Sequence, residues 1–164
     1  VTINLSHLSL DDTAVQEILT DMLNTGLSSA HVDLSMNRIT PVGVNWLCNA
    51  LLKGQPEEGN GATESLNKRR LESLDLSCNY LALDVGDTTH FHATVEKLIA
   101  HHNKCPTELC LDQCSLGPVF CRSLGKGLIH RHIQDEEEKT PMATNTIPSL
   151  SLSLSGNPEI GDAG

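Results

Sequence analysis

Residues 71–81 read LESLDLSCNYL, with leucines at 71, 74, 76 and 81 and an asparagine at 79. Leu74 and Leu76 are two positions apart, the spacing of one face of a strand. The same pattern returns along the chain. SAHVDLSMNRI (29–39) places Val32, Leu34, Asn37 and Ile39 in equivalent positions, and PTELCLDQCSL (106–116) places Leu109, Leu111, Cys114 and Leu116 there. SLSLSLSGNPEI (149–160) supplies Leu152, Leu154, Asn157 and Ile160 with one extra residue after the asparagine. VTINLSHLSL (1–10) fits through Ile3, Leu5 and Leu10, with Leu8 in the asparagine position. Self-similarity of this kind marks a repeat architecture.

Each of the first four matches precedes a stretch with helical spacing. Ala14, Ile18, Leu19, Met22 and Leu23 form the first stripe, which Thr13 and Gln16 could open as a capping box. Thr40-Pro41 supplies an N-cap and a first-turn proline for the second, with Trp46, Leu47, Ala50 and Leu51 as its buried stripe. Phe91, Val95, Leu98 and Ile99 make the third. Pro118 begins the fourth, through Cys121, Leu124 and Leu128. The predicted unit is a short strand, a tight turn and a helix.

This pattern resembles the leucine-rich repeat family, in its long-repeat, ribonuclease-inhibitor-like subclass. The resemblance rests on L-x-x-L-x-L-x-x-N-x-L with Asn or Cys at the ninth position, and it covers nearly the whole chain. A glycine about six positions after that residue belongs to the same pattern. Gly43 matches it, Gly86 and Gly164 match with one residue inserted, and Ala14 and Phe120 depart. The resemblance implies an α/β solenoid or horseshoe of about five repeats, with parallel strands on the concave face and helices on the convex face. The expected units are 1–28, 29–70, 71–105, 106–146 and 147–164 of a single domain. A single unit cannot bury its leucines, whereas stacked neighbours can. Asn37, Asn79, Cys114 and Asn157 are expected to turn inward as a structural ladder that satisfies backbone groups at the bends. An unpaired buried amide there would cost about 1–3 kcal/mol.

The ladder positions 8, 37, 79, 114 and 157 are separated by 29, 42, 35 and 43 residues, against about 28 in the subclass it resembles. The surplus falls in GQPEEGNGATESLNKRR (54–70) and HRHIQDEEEKTPMATNT (130–146), which read as polar loops along one rim. The chain starts without Met and ends inside a patterned stretch, so it is expected to be a piece of a longer protein.

Composition narrows the function. Among 164 residues, 38% are hydrophobic but only 2% aromatic, so the core is aliphatic. The formal net charge of −10 argues against general nucleic-acid binding, which needs clustered Lys and Arg, and favours a partner with a basic surface. No apolar run has the length of a membrane span, so no membrane insertion is expected. Six cysteines without a C-x-x-C pair predict reduced thiols in a cytoplasmic or nuclear setting.

Candidate chemistry is sparse. Cys105, Cys110, Cys114 and Cys121 crowd one window, but their C-x4-C-x3-C-x6-C spacing fits no common zinc pattern and the repeat register sends them in different directions. His101, His102 and Cys105 are the residual metal candidates. The pairs His90/His92 and His130/His132 read as solvated, at a helix start and in a loop. No nucleophile signature is present, and the glycines of SLGKGL (123–128) lie inside a helix stripe. The expectation is no enzyme, no catalytic residue, no cofactor and no metal.

What remains is the concave face. Asn4, Ser6, Asp33, Ser35, Asp75, Ser77, Cys110, Asp112, Ser153 and Ser155 project there on the repeat register, and Asp33, Ser35, Asp75, Ser77 and Asp112 are the candidate partner-binding set. The expected function is a protein–protein interaction scaffold that binds through this face or the loop rim. Two alternatives are a structural subunit docked in a large assembly and a regulatory module of a larger protein. The regulatory version would need an exposed asparagine or arginine at the rim if GTPase-activating, or a nucleotide-binding domain if NLR-like, and the one arginine pair is Arg69-Arg70 in a loop.

Overall fold

The computed structural model of the chain describes residues 1–24, 30–53, 71–82, 88–101, 104–137 and 149–160. It is an α/β structure. Five short strands, β1 (Thr2–Asn4), β2 (Ala30–Asp33), β3 (Leu71–Asp75), β4 (Glu108–Cys110) and β5 (Ser151–Ser153), alternate with four helices. The helices are α1 (Asp12–Asn24), α2 (Pro41–Lys53), α3 (Thr88–Ala100) and α4 (Pro118–Glu137), and a 3-10 turn (Pro158–Ile160) follows β5. The strands form one sheet, all parallel, in the order β1-β2-β3-β4-β5.

The register lines Ile3, Val32, Leu74, Leu109 and Leu152 in one row. Val32, Leu74 and Leu109 are buried, as are Leu34, Leu76 and Leu111 two residues on, and they share one core with the helix stripes. The register slips once: Ala30 pairs with Leu71 and His31 with Ser73, leaving Glu72 as the extra residue of a bulge.

After each strand the chain bends through a residue with positive φ, directly before the ladder position. These are His7 (59°), Met36 (55°), Cys78 (57°), Gln113 (54°) and Gly156 (68°). The ladder residues hold the bend. Asn79 donates its amide to Leu34 O (2.9 Å) and Leu76 O (2.9 Å) and accepts from Ile39 N (3.0 Å). Asn37 bridges Leu5 O, Leu34 O, Leu8 N and Leu10 N in the same way, and Asn157 bridges Leu111 O, Leu154 O, Cys114 N and Leu116 N. Each asparagine therefore ties its own bend to the preceding one. Cys114 reaches Leu76 O through its thiol at 3.3 Å. Where the ladder residue is not asparagine, at Leu8 and Cys114, the next residue is also left-handed: Ser9 (56°) and Ser115 (54°).

The helix starts depart in part from expectation. The cap of α1 is Asp11, whose Oδ1 accepts from Ala14 N (3.0 Å) and whose carbonyl accepts from Val15 N (3.1 Å), rather than a Thr13/Gln16 box. Thr40 caps α2 as expected, its carbonyl accepting from Val44 N and its hydroxyl from Val42 N. The carboxylate of Asp12, at the start of α1, accepts from Thr40 N (2.8 Å) and Thr40 Oγ1 (2.6 Å), placing negative charge at the N-terminus of α2. The α2 face that is fully buried is Gly43, Val44, Leu47, Cys48 and Leu51, with Trp46 and Ala50 only half-buried. Phe91, Val95, Leu98 and Ile99 of α3 are all buried.

The fourth helix differs most. It continues to Glu137, so residues 130–137 of the expected loop are helical, and His130 and His132 stand exposed on it. Its buried stripe is Phe120, Leu124, Gly127 and Arg131, while Leu128 is 40% exposed. The spacing 120–124–127–131 is as regular as the expected 121–124–128, and the closeness of α3 decides between them. A Cβ on Gly127 would stand 2.7 Å from Glu96 O, so the two backbones meet there. Arg131, buried, donates to Ile99 O at the C-terminal turn of α3 (3.5 Å). The helical position of Gly125 and Gly127 agrees with the sequence reading. Loop 54–70, residues 138–146 of the second loop, Gly86 and Gly164 lie outside the described residues.

Candidate functional site

The exposed face of the sheet is built from three rows. Strand pairing sets Thr2, His31, Ser73, Glu108 and Ser151 in the first, and Asn4, Asp33, Asp75, Cys110 and Ser153 in the second. Just past the strands, Ser6, Ser35, Ser77, Asp112 and Ser155 continue in the third, held by Met36 N→Ser77 O (2.9 Å), Cys78 N→Asp112 O (2.8 Å) and Gln113 N→Ser155 O (2.8 Å). All five candidate partner-binding residues are thus on one surface. Asp33 and Asp75 are paired neighbours, and Asp112 follows in the adjoining row.

The aspartates also shape the bends. Asp33 Oδ1 accepts from Ser35 N (2.9 Å) and Ser35 Oγ (2.7 Å), and its Oδ2 accepts from Asn4 Nδ2 (3.2 Å). Asp75 Oδ1 accepts from Ser77 N at 2.8 Å, and Asn4 Oδ1 from Ser6 N at 3.0 Å. These are Asx turns across the same two-residue spacing. The fourth strand breaks the rule with Cys110. The fifth, with Ser153, borrows a carboxylate from its neighbour: Asp112 Oδ1 accepts from Ser153 Oγ (2.6 Å) and Ser155 N (2.7 Å). Sequence spacing showed these residues on one face but not this structural task, although the repeated D-L-S of 33–35 and 75–77 carries the signal.

Charge on this face has one sign. Asp33, Asp75, Glu108 and Asp112 occupy it with Glu72 at the bulge, and His31 Nε2 meets Glu72 Oε2 at 3.1 Å. No Lys or Arg falls in the three rows. Cys110 sits among these carboxylates; burial raises its thiol pKa first, and Asp75, Asp112, Glu108 and Asp33 add to it. Burial likewise pushes Cys48 up to about 12 and Cys114 up to about 11, and raises Cys121. A thiolate nucleophile or ligand needs the opposite shift. None of the six cysteines is joined in a disulfide.

The other candidates stay apart. Among the described residues, no group of three or more His, Cys, Asp or Glu is placed to hold a metal ion. Cys105 is buried and His102 lies outside the described residues. Arg69 and Arg70 do too. Sequence reasoning missed the rim beside the open face, where Met36 and Tyr80 are 48% and 53% exposed. It placed Tyr80 nowhere, because the repeat template leaves that position unspecified. No helix among the described residues is long and apolar enough to cross a membrane. Neither a model of a known protein family nor any curated protein matches the chain.

Proposed function

We propose that this chain is a protein–protein interaction module of the leucine-rich repeat type, a curved solenoid without catalytic activity whose concave sheet face receives a basic segment of another protein. The observation that carries this reading is the single-signed face: four carboxylates in adjoining rows, with every Lys and Arg among the described residues elsewhere. Such a field steers a basic partner and sets its orientation. Six cysteines without a C-x-x-C pair fit a reducing compartment, cytoplasmic or nuclear, in which buried Cys48, Cys105 and Cys114 act as core filler.

The test keeps shape and removes charge. Asp33→Asn, Asp75→Asn and Asp112→Asn together retain the acceptor oxygens of the bends. Wild type and this triple variant, both checked for equal thermal stability, are used to capture partners from native extract at low and moderate salt. Salt-sensitive capture of basic proteins by wild type alone is the expected result. Equal capture by both proteins would remove the carboxylates from the binding site.

A further inference from the structure

The fold uses the acceptor oxygens of the open face unevenly. Asp33 is fully engaged: its Oδ1 takes Ser35 N and Ser35 Oγ, and its Oδ2 takes Asn4 Nδ2. Asp75 and Asp112 each commit one oxygen, Asp75 Oδ1 to Ser77 N and Asp112 Oδ1 to Ser153 Oγ and Ser155 N. Among the described residues, Asp75 Oδ2 and Asp112 Oδ2 accept nothing. Ser77 Oγ, beside both, accepts from Asp112 N (3.2 Å) and donates to no described residue. Cys110 stands opposite Asp75 in the register, a smaller neutral side chain where β2 and β3 carry a carboxylate. From strand pitch and rise, Asp75 and Asp112 lie diagonally across β3 and β4 with Cα atoms about 8 Å apart. A cation held between two such carboxylates reaches both.

The rim of bends beside this face is different in kind. Met36 N donates to Ser77 O (2.9 Å) and Cys78 N to Asp112 O (2.8 Å), so the bends keep the lateral order of the strands. Met36 and Tyr80 stand about half-exposed there. Phe91 and Phe120 are buried and Trp46 is half-buried, which leaves Tyr80 as the one aromatic on the outside. Arg38 is exposed on the same rim. Single exposed apolar residues are ordinary on a protein surface. Met, Tyr and Arg together are the residue types enriched where proteins bind one another, and here they adjoin the open acceptors. The sign of charge changes across the surface, from Asp75 and Asp112 over β3 and β4 to Arg38 after the bend of β2.

We infer that an extended segment of another protein lies across these bends, with a Lys or Arg between Asp75 and Asp112 and a large apolar side chain against Met36 and Tyr80. This rests on the interaction reading above and names the chemistry of the segment received. From the β3–β4 boundary to the bend of β2 is somewhat under two strand spacings, about 7–10 Å. Two or three residues of an extended chain cover that distance at about 3.3 Å each. The basic residue and the apolar anchor are therefore two or three positions apart. Arg38 sets the direction, since it repels a basic residue beyond the anchor and accepts an acidic one. Asp33, whose oxygens already serve the fold, adds to the field without bonding the segment.

Selection of a random peptide library on the full chain, after removal of binders to the Asp33→Asn/Asp75→Asn/Asp112→Asn protein, tests this. The expected peptides carry Lys or Arg two or three positions from a large apolar residue. One selected peptide, synthesised with a fluorophore, then separates the residues by its affinity for folded single variants. Asp75→Asn, Asp112→Asn, Met36→Ser and Tyr80→Ser should each weaken binding about tenfold, and Asp33→Asn by no more than about twofold. Basic peptides that lack the spaced apolar residue, or that ignore Met36→Ser and Tyr80→Ser, overturn the inference and leave the interaction reading standing. So does a loss at Asp33 equal to those at Asp75 and Asp112. Peptides without basic residues, or no binders at all, overturn both.

Discussion

The carboxylate of Asp12 occupies the space where Gly43 would carry a side chain. A Cβ built on Gly43 overlaps Asp12 Oδ1 and stands 3.1 Å from Ile39 Cγ2, while the same carboxylate bonds the Thr40 amide and hydroxyl. The glycine of the repeat is thus explained by an acid one unit earlier. An alanine in a helix interior ordinarily gains about 0.5–1 kcal/mol over glycine. Here the overlap reverses the sign, and Gly43→Ala should destabilise by about 1–3 kcal/mol. In a denaturation cycle, Asp12→Ala/Gly43→Ala should lose less than the sum of the single variants. Strict additivity would mean that the two residues do not compete for space.

The two glycines of α4 make a matched pair. Gly127→Ala drives a methyl into the Glu96 carbonyl, which is backbone and cannot swing aside, so a loss of about 1–3 kcal/mol is expected. Gly125→Ala meets open space and should gain about 0.5–1 kcal/mol from helix propensity alone. Urea melts at low protein concentration decide, and two losses of similar size would mean that α4 does not approach α3 as described.

Removal of the Asn79 side chain deletes its bonds to Leu34 O, Leu76 O and Ile39 N at once; Leu34 O keeps the Asn37 amide and Leu76 O the Cys114 thiol, so the buried Ile39 N–H is the group left without its partner. The expected cost of Asn79→Ala is about 2–3 kcal/mol, from one orphaned buried N–H and two lost bonds to carbonyls that keep a second partner. Cys114→Ala gives up weaker thiol bonds to Leu76 O and Asp112 O and should cost about half as much. A reversed order would contradict the asparagines as the stronger rungs.

Alkali should weaken the fold through Cys48. Its pKa is raised from 9.0 to about 12 by burial, with Cys105 adding to the effect. The folded state holds this proton more tightly than the unfolded chain. Its stabilisation is therefore fully present below pH 9 and is lost as pH rises from 9 toward 12, by at most about 1.4 kcal/mol per pH unit. Cys48→Ala should flatten that part of the stability–pH curve at some cost in packing. An unchanged slope would place the alkaline sensitivity in other groups.

Much of this structure was legible in the leucines. Strand alternation and the fixed offset to the ladder located all five strands, because both patterns act within a dozen residues. The extent of α4 was not legible: HRHIQDEE (130–137) has no apolar stripe to distinguish helix from loop, and it stays helical in continuation of a helix already packed against α3. Nor could sequence choose between Asp11 and Thr13 as the α1 cap, since DDT offers three polar candidates in succession. The Asp12–Thr40 contact spans 28 positions, and no local rule reaches so far. The open face was located by alternation alone, while the reach of Asp112 to the next strand emerges only when the strands lie side by side.

The bend residues carry a consequence for how such a chain can change. Five positions with the same left-handed backbone hold histidine, methionine, cysteine, glutamine and glycine, a set with no shared chemistry. The neighbouring asparagines and the Cys114 thiol fix the main chain there, and only one of the five positions uses the residue that fits it without strain. Conformation at these sites has been separated from side-chain identity. At His7 and Met36, spaced along the roughly 4.8 Å pitch of the sheet, the letter can be rewritten while the line stays ruled; Gly156 cannot, because a Cβ there would stand 2.8 Å from Gln113 Cγ.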